Sequence, residues 1–173
     1  ISSLDVYYNY LIPKHETSGP ITAANLDTGN GGDTDITAIF NDGAGTLVIN
    51  NSAELLVPTG KNFTPGEAID TTGTIDVDGT LNNAANAISL EGNLDVSGTL
   101  THTGTLAMDG TAAQTFNQGA STIGSDVVMA NTSAPVTVAT NSLDVDDLTI
   151  NDDAVLSLDG NDITVGGTFA NGN

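Results

Sequence analysis

The sequence predicts an all-β chain wound as a parallel β-helix, or β-solenoid, of about seven coils. Three observations predict it: a nine-residue phrase returns at a spacing near twenty, apolar and polar residues alternate within each return, and glycine-containing turn pairs separate the short runs.

The phrase is "GTIDVDGTL" at Gly73 to Leu81 and "GNLDVSGTL" at Gly92 to Leu100, identical at six of nine positions and nineteen residues apart. It returns as "SLDVDDLTI" at Ser142 to Ile150 and "DITVGGTF" at Asp162 to Phe169. An antiparallel β-sandwich of the jelly-roll kind is the alternative. Sandwich strands carry individual sequences, whereas a solenoid asks for the same inward residue at the same place on every coil. Recurrence at coil length therefore favours the solenoid, over about Ile36 to Asn173.

The individual strands follow from the alternation. Ile75/Val77, Leu94/Val96, Leu106/Met108, Val136/Val138, Leu143/Val145, Leu148/Ile150, Leu156/Leu158 and Ile163/Val165 are each separated by one residue, the period of a strand with one buried face. Asp-Gly at 78–79, 109–110 and 159–160, Ser-Gly at 97–98 and Gly-Gly at 166–167 are expected to turn the corners by adopting positive φ. The 49 residues between Leu94 and Leu143 leave room for coils in which the phrase has decayed.

Residues 1–35 depart from the pattern. "ISSLDVYYNYLIPKH" holds all three tyrosines and places Leu4, Val6, Tyr8 and Tyr10 on one side of an extended strand, with Pro13 expected to limit the run. Two roles are open: a cap on the first coil, or an arm lent to a neighbouring subunit. At the other end Val165 and Phe169 still carry the repeat close to the last position, which makes that end either a candidate docking surface or the cut edge of a longer solenoid. These six residues are the expected interface, in a homo-oligomer or filament.

Composition narrows the partners. There are 22 acidic residues against Lys14 and Lys61, a formal charge of −20, which disfavours nucleic acid and anionic membrane as partners. No stretch approaches the ~20 apolar residues of a membrane span. Cysteine is absent, so there is no disulfide framework or thiolate metal site. Asn50, Asn62 and Asn131 sit in glycosylation sequons.

The acids cluster. Asp144, Asp146, Asp147, Asp152, Asp153, Asp159 and Asp162 fall within nineteen residues, and "DTGNGGDTD" carries Asp33 and Asp35 in a glycine-rich loop. Oxygen donors at this density suit calcium. Asp33, Asp35, Asp144, Asp146, Asp147, Asp152 and Asp153 are the candidate ligands; a solvated acidic coat is the competing reading. Asp76 and Asp95 are expected to stack, outward, on adjacent coils.

Catalytic signals are weak. His15 and His102 have no motif neighbours, and a lone strand histidine is expected to be exposed or hydrogen-bonded. Paired carboxylates could cleave glycosides, but aromatic and basic groups to hold a sugar are scarce. No enzyme is expected. Thr99, Thr101, Thr103 and Thr105 alternate as an ice-binding row would, yet "TLNNAAN" from Thr80 breaks the row on the preceding coil.

From Gly104 onward the chain resembles secreted microbial surface proteins built of β-helical repeats with phrases such as G-T-L-x-V-x-G. The likeness extends back to about residue 73 and brings no catalytic motif. It implies an extracellular or cell-surface filament, adhesin or matrix role; a glycan-binding or ice-binding module on the same scaffold is the alternative.

Overall fold

The computed structural model describes residues 2–7, 10–16, 21–22, 35–37, 46–49, 52, 54–121, 123–139 and 141–172. The described residues contain no helix, and so none long and apolar enough to cross a membrane.

The chain begins with a hairpin. Strands β1 (Ser2–Tyr7) and β2 (Tyr10–Glu16) pair antiparallel, with Tyr7 opposite Tyr10. Ser3 pairs with His15 and Leu4 with Pro13, so the register slips by one residue at Lys14. Pro13 therefore does not end the run as expected; it lies inside β2 beside a bulge, one of the few places where a sheet accommodates a residue without an N–H.

Every later strand pairs parallel, and the chain winds around three sides. The first coil lays down β3 (Ile21–Thr22), β4 (Asp35–Thr37) and β5 (Thr46–Ile49). Then come β6 (Leu55–Val57), β7 (Asn62–Thr64) and β8 (Ala68–Thr71), followed by β9 (Ile75–Val77), β10 (Thr80–Ala84) and β11 (Ile88–Leu90). The fourth coil is β12 (Leu94–Val96), β13 (Thr99–His102) and β14 (Thr105–Met108). The last three are β15 (Gln114–Asn117) with β16 (Ile123–Met129), β17 (Val136–Val138) with β18 (Leu143–Ile150), and β19 (Leu156–Ser157) with β20 (Ile163–Val165) and β21 (Phe169–Asn171).

The first side stacks β3-β6-β9-β12-β15-β17-β19, the second β4-β7-β10-β13, and the third β5-β8-β11-β14-β16-β18, with β20 and β21 both pairing on β18. In the later coils, second and third sides merge. The front of β18 carries β20 through Leu143–Val145 and its back carries β21 through Leu148–Ile150. Seven levels make a solenoid of about six turns, and six steps of ~4.8 Å give a rod roughly 29 Å long. The parallel ladders reach back to Ile21 and Asp35, ahead of residue 36.

Register explains the repeat. On the first side Leu55, Ile75, Leu94, Phe116 and Val138 stand over one another at steps of 20, 19, 22 and 22 residues. On the third, Leu47, Ile69, Ile88, Leu106, Val127 and Leu148 do the same. All are at most 2% exposed. Each such side chain contributes roughly 1.5–3 kcal/mol on burial, and the columns run through the whole rod. The decayed stretch between Leu94 and Leu143 is two full levels in which Gln114 takes an apolar position.

The repeat glycines are required for a reason other than the one alternation suggested. Of the turn pairs named above only Asp159-Gly160 has a positive-φ glycine, at 85°. Gly79 and Gly98 are needed because coils touch there. A Cβ on Gly98 would lie 2.1 Å from the Gly79 carbonyl oxygen, and one on Gly79 would lie 2.3 Å from those of Lys61 and Pro58.

Candidate functional site

Two regions hold groups that the packing alone does not account for, the last coil and the interior between the second and third sides. Among the described residues the last coil bonds to the coil below it. Leu148 N–H donates to the Thr168 carbonyl, Gly166 N–H to that of Val145 and Gly172 N–H to that of Ile150. Among the described residues β19, β20 and β21 have no strand on their far edge. Their apolar residues are correspondingly open: Phe169 is 56% exposed and Ile163 36%, while Leu156 and Val165 are half-buried.

The expected interface residues divide accordingly. Val165 and Phe169 lie on this open coil. Leu4, Val6 and Tyr10 lie in the terminal hairpin, and Tyr8 falls outside the described residues.

The candidate calcium ligands are dispersed. Asp33 is outside the described residues, and Asp35 pairs with Asn62 at the start of the second side. Asp144 is tied by its backbone to Gln118, its N–H donating to Oε1 at 3.0 Å and its carbonyl accepting from Nε2 at 3.0 Å. Asp146 is exposed, and Asp147 Oδ1 accepts the Thr168 N–H from the coil above. Asp152 and Asp153 are exposed in the next turn, where Asp153 takes φ 63°. Among the described residues no group of three or more His, Asp or Glu is placed to hold a metal ion.

Asp76 and Asp95 do stack, in register on adjacent coils. The Asp76 carboxyl is pushed above the usual carboxylate range, chiefly by partial burial and then by the charges of Asp78, Asp95 and Glu54. Neighbouring coils soften the column: Ser97 Oγ donates to Asp78 at 2.5 Å and Asn117 Nδ2 to Asp95 at 2.7 Å.

The threonine row bends. Thr99 and Thr101 lie on the second side and Thr105 on the third, so the four exposed hydroxyls turn a corner instead of forming one flat face. Two of the sequons are placed. Asn62 lies in β7, while Asn131 is fully buried, donating to the Ala112 carbonyl at 2.6 Å and to Gln114 Oε1 at 3.1 Å, which closes that sequon to modification in the folded chain.

His102 overturns its expectation. It is buried, at 2% exposed, and neither ring nitrogen has a partner within normal hydrogen-bond geometry. Burial pulls its pKa below the ordinary histidine value, against a smaller effect of the Thr105 backbone in the opposite sense. The parity of "TLTH" put Leu100 and His102 on one side and could have flagged it.

Comparison with protein-family models, curated proteins and solved structures gave no match.

Proposed function

We propose that this chain is a structural rod segment of an extracellular filament, adhesin or surface layer, lengthened by β-coils that stack on its last one. The observation that carries the reading is the open coil at Leu156 to Asn171, where three strand edges and the side chains of Ile163 and Phe169, which stand over buried Leu143 and Leu148, are left uncovered. Unpaired parallel edges over an apolar layer are a template for a further coil. A second copy stacking there makes a heterologous, head-to-tail contact, which propagates unless its rotation closes.

Charge supports the setting. At −20 the rod's flanks repel one another, so lateral clumping is opposed. The resemblance of the repeat phrases to secreted microbial surface proteins supports the same location.

Sedimentation velocity and electron microscopy of residues 1–173 across a concentration series test the reading. Concentration-dependent linear species are expected, and Ile163→Lys with Phe169→Asp should dissolve them while leaving the circular dichroism spectrum β-rich. Monodisperse monomers at every concentration overturn it.

A further inference from the structure

The interior of the rod contains buried polar side chains of two kinds. Gln114, Gln118 and Asn131 are saturated. Gln114 donates to the carbonyls of Leu90 and Gly92 at 2.8 and 2.7 Å and accepts from Gly110 N–H at 3.1 Å. Gln118 donates to the Ser121 and Asp144 carbonyls, and Asn131 Oδ1 accepts from the N–H groups of Ser133 and Ala134. Asn83, His102 and Ser125 are different. They are 0%, 2% and 1% exposed, yet Asn83 Oδ1, both His102 ring nitrogens and Ser125 Oγ have no hydrogen-bond partner.

These three residues sit on consecutive coils where the second side turns into the third. Both outer levels carry a bulge there. Asn82 pairs with Thr101 and Ala84 with His102, leaving Asn83 as the extra residue, and Ala84 is held at φ 47°. Ile123 pairs with Val145 and Asp126 with Asp147, so one extra residue falls at Gly124–Ser125. Bulged residues thus lie on the coils below and above that of His102. The amide of Asn83 is oriented by its donor end, which reaches the Asn86 carbonyl at 3.0 Å, leaving the acceptor Oδ1 free.

We propose that this corner is an internal hydration site, in which ordered water between the third, fourth and fifth coils bridges Asn83 Oδ1, the His102 ring and Ser125 Oγ. The chemistry matches: an acceptor, a neutral imidazole with one donor and one acceptor, and a hydroxyl able to do either, are together the partners that a short water file needs. Left dry, four such atoms at one corner would forfeit their hydration without return, against a domain stability that is small to begin with. The saturation of Gln114, Gln118 and Asn131 at other places in the same interior shows what this fold does with buried polar groups when protein partners are in reach.

A crystal structure of the full chain that resolves solvent is the direct test. It should show water within about 3.2 Å of at least two of the four atoms. A dry corner overturns the proposal, as does one in which the His102 ring bonds directly to Asn83 and Ser125. Ser125→Ala supplies an independent sign in solution: a hydroxyl bonded to bridging water is missed, and the folding equilibrium constant should fall about fivefold. A rise would mean that the hydroxyl had been buried without a partner. Water-to-imidazole cross-relaxation in the NMR spectrum should identify His102 as a contact of long-lived water, and its absence counts against the site.

Discussion

Asp76 and Asp95 stand directly over one another on the first side of the rod, one strand spacing apart, with Asp78 and Glu54 close enough to raise the Asp76 pKa further. A fold that repeats its outward residue as faithfully as its inward one stacks like charges. At a ~4.8 Å spacing the repulsion is about 1 kcal/mol in bulk water. Because the folded-state pKa of Asp76 is raised, the folded chain binds this proton more tightly than the unfolded one. Asp76 therefore costs stability above its folded pKa, and the cost fades as pH falls through that value towards 3.8. Asp76→Asn should stabilise the protein by about 1 kcal/mol at pH 7 and by nothing measurable near pH 3. Urea unfolding at the two pH values checks this.

The same reasoning separates calcium from plain screening. Among the described residues no three of the acids between Asp144 and Asp162 come together to hold an ion. Added salt should raise the melting temperature by screening over ~8 Å at 0.15 M. Calcium chloride should do no more than magnesium chloride at matched ionic strength. A calcium-specific increment, abolished by chelator, would require the acids to converge around an ion in a way that this arrangement does not display.

The architecture was legible because its two periods are both physical. Alternation places Leu94 and Val96 inside, and the coil length places Ile75 beneath Leu94, so the columns could be read from spacing alone. Legibility failed where the interior is polar. Gln114 stacks over Val136 as an apolar residue would, but it reaches the Leu90 and Gly92 carbonyls, a use that no pattern of hydropathy encodes. Asn83 was hidden in the same way, whereas His102 shares the parity of buried Leu100. The stacking of β20 and β21 on β18 was legible in the repeat continuing to Phe169, whereas the pairing of β1 with β2 around Pro13 was not, because a bulge at Lys14 leaves no periodic trace.

Gln114 makes a sharp test of that polar interior. Leucine has a similar volume, but Gln114→Leu removes the bonds to Leu90, Gly92, Gly110 and Asn131 together. Stranding several buried groups should cost about 3 kcal/mol or more. Chemical denaturation should show the loss, and hydrogen exchange should locate it in the coils containing β12, β15 and β17.

The glycine of the repeat can be tested against a control. Gly98→Ala drives a methyl group to 2.1 Å from the Gly79 carbonyl oxygen, so two coils must separate, at about 3 kcal/mol. Gly60 has φ 74° but open space around it, and Gly60→Ala should cost only the left-handed backbone strain, about 1 kcal/mol. Equal effects at the two sites would show that the repeat glycine serves conformation and not contact.

His102 gives the rod an acid limit. Its folded pKa lies below 6.5, so the unfolded chain takes up this proton first, and stability declines as pH falls from about 6.5 through the depressed folded value. The slope is opposite in sign to that of Asp76, and it begins at higher pH. Between pH 7 and 5 the wild-type chain should therefore lose stability, while His102→Phe, which keeps an aromatic ring at the position, should lose much less over the same interval. Urea midpoints measured at half-unit steps of pH give the comparison, and parallel curves for the two proteins would show that another group carries the dependence.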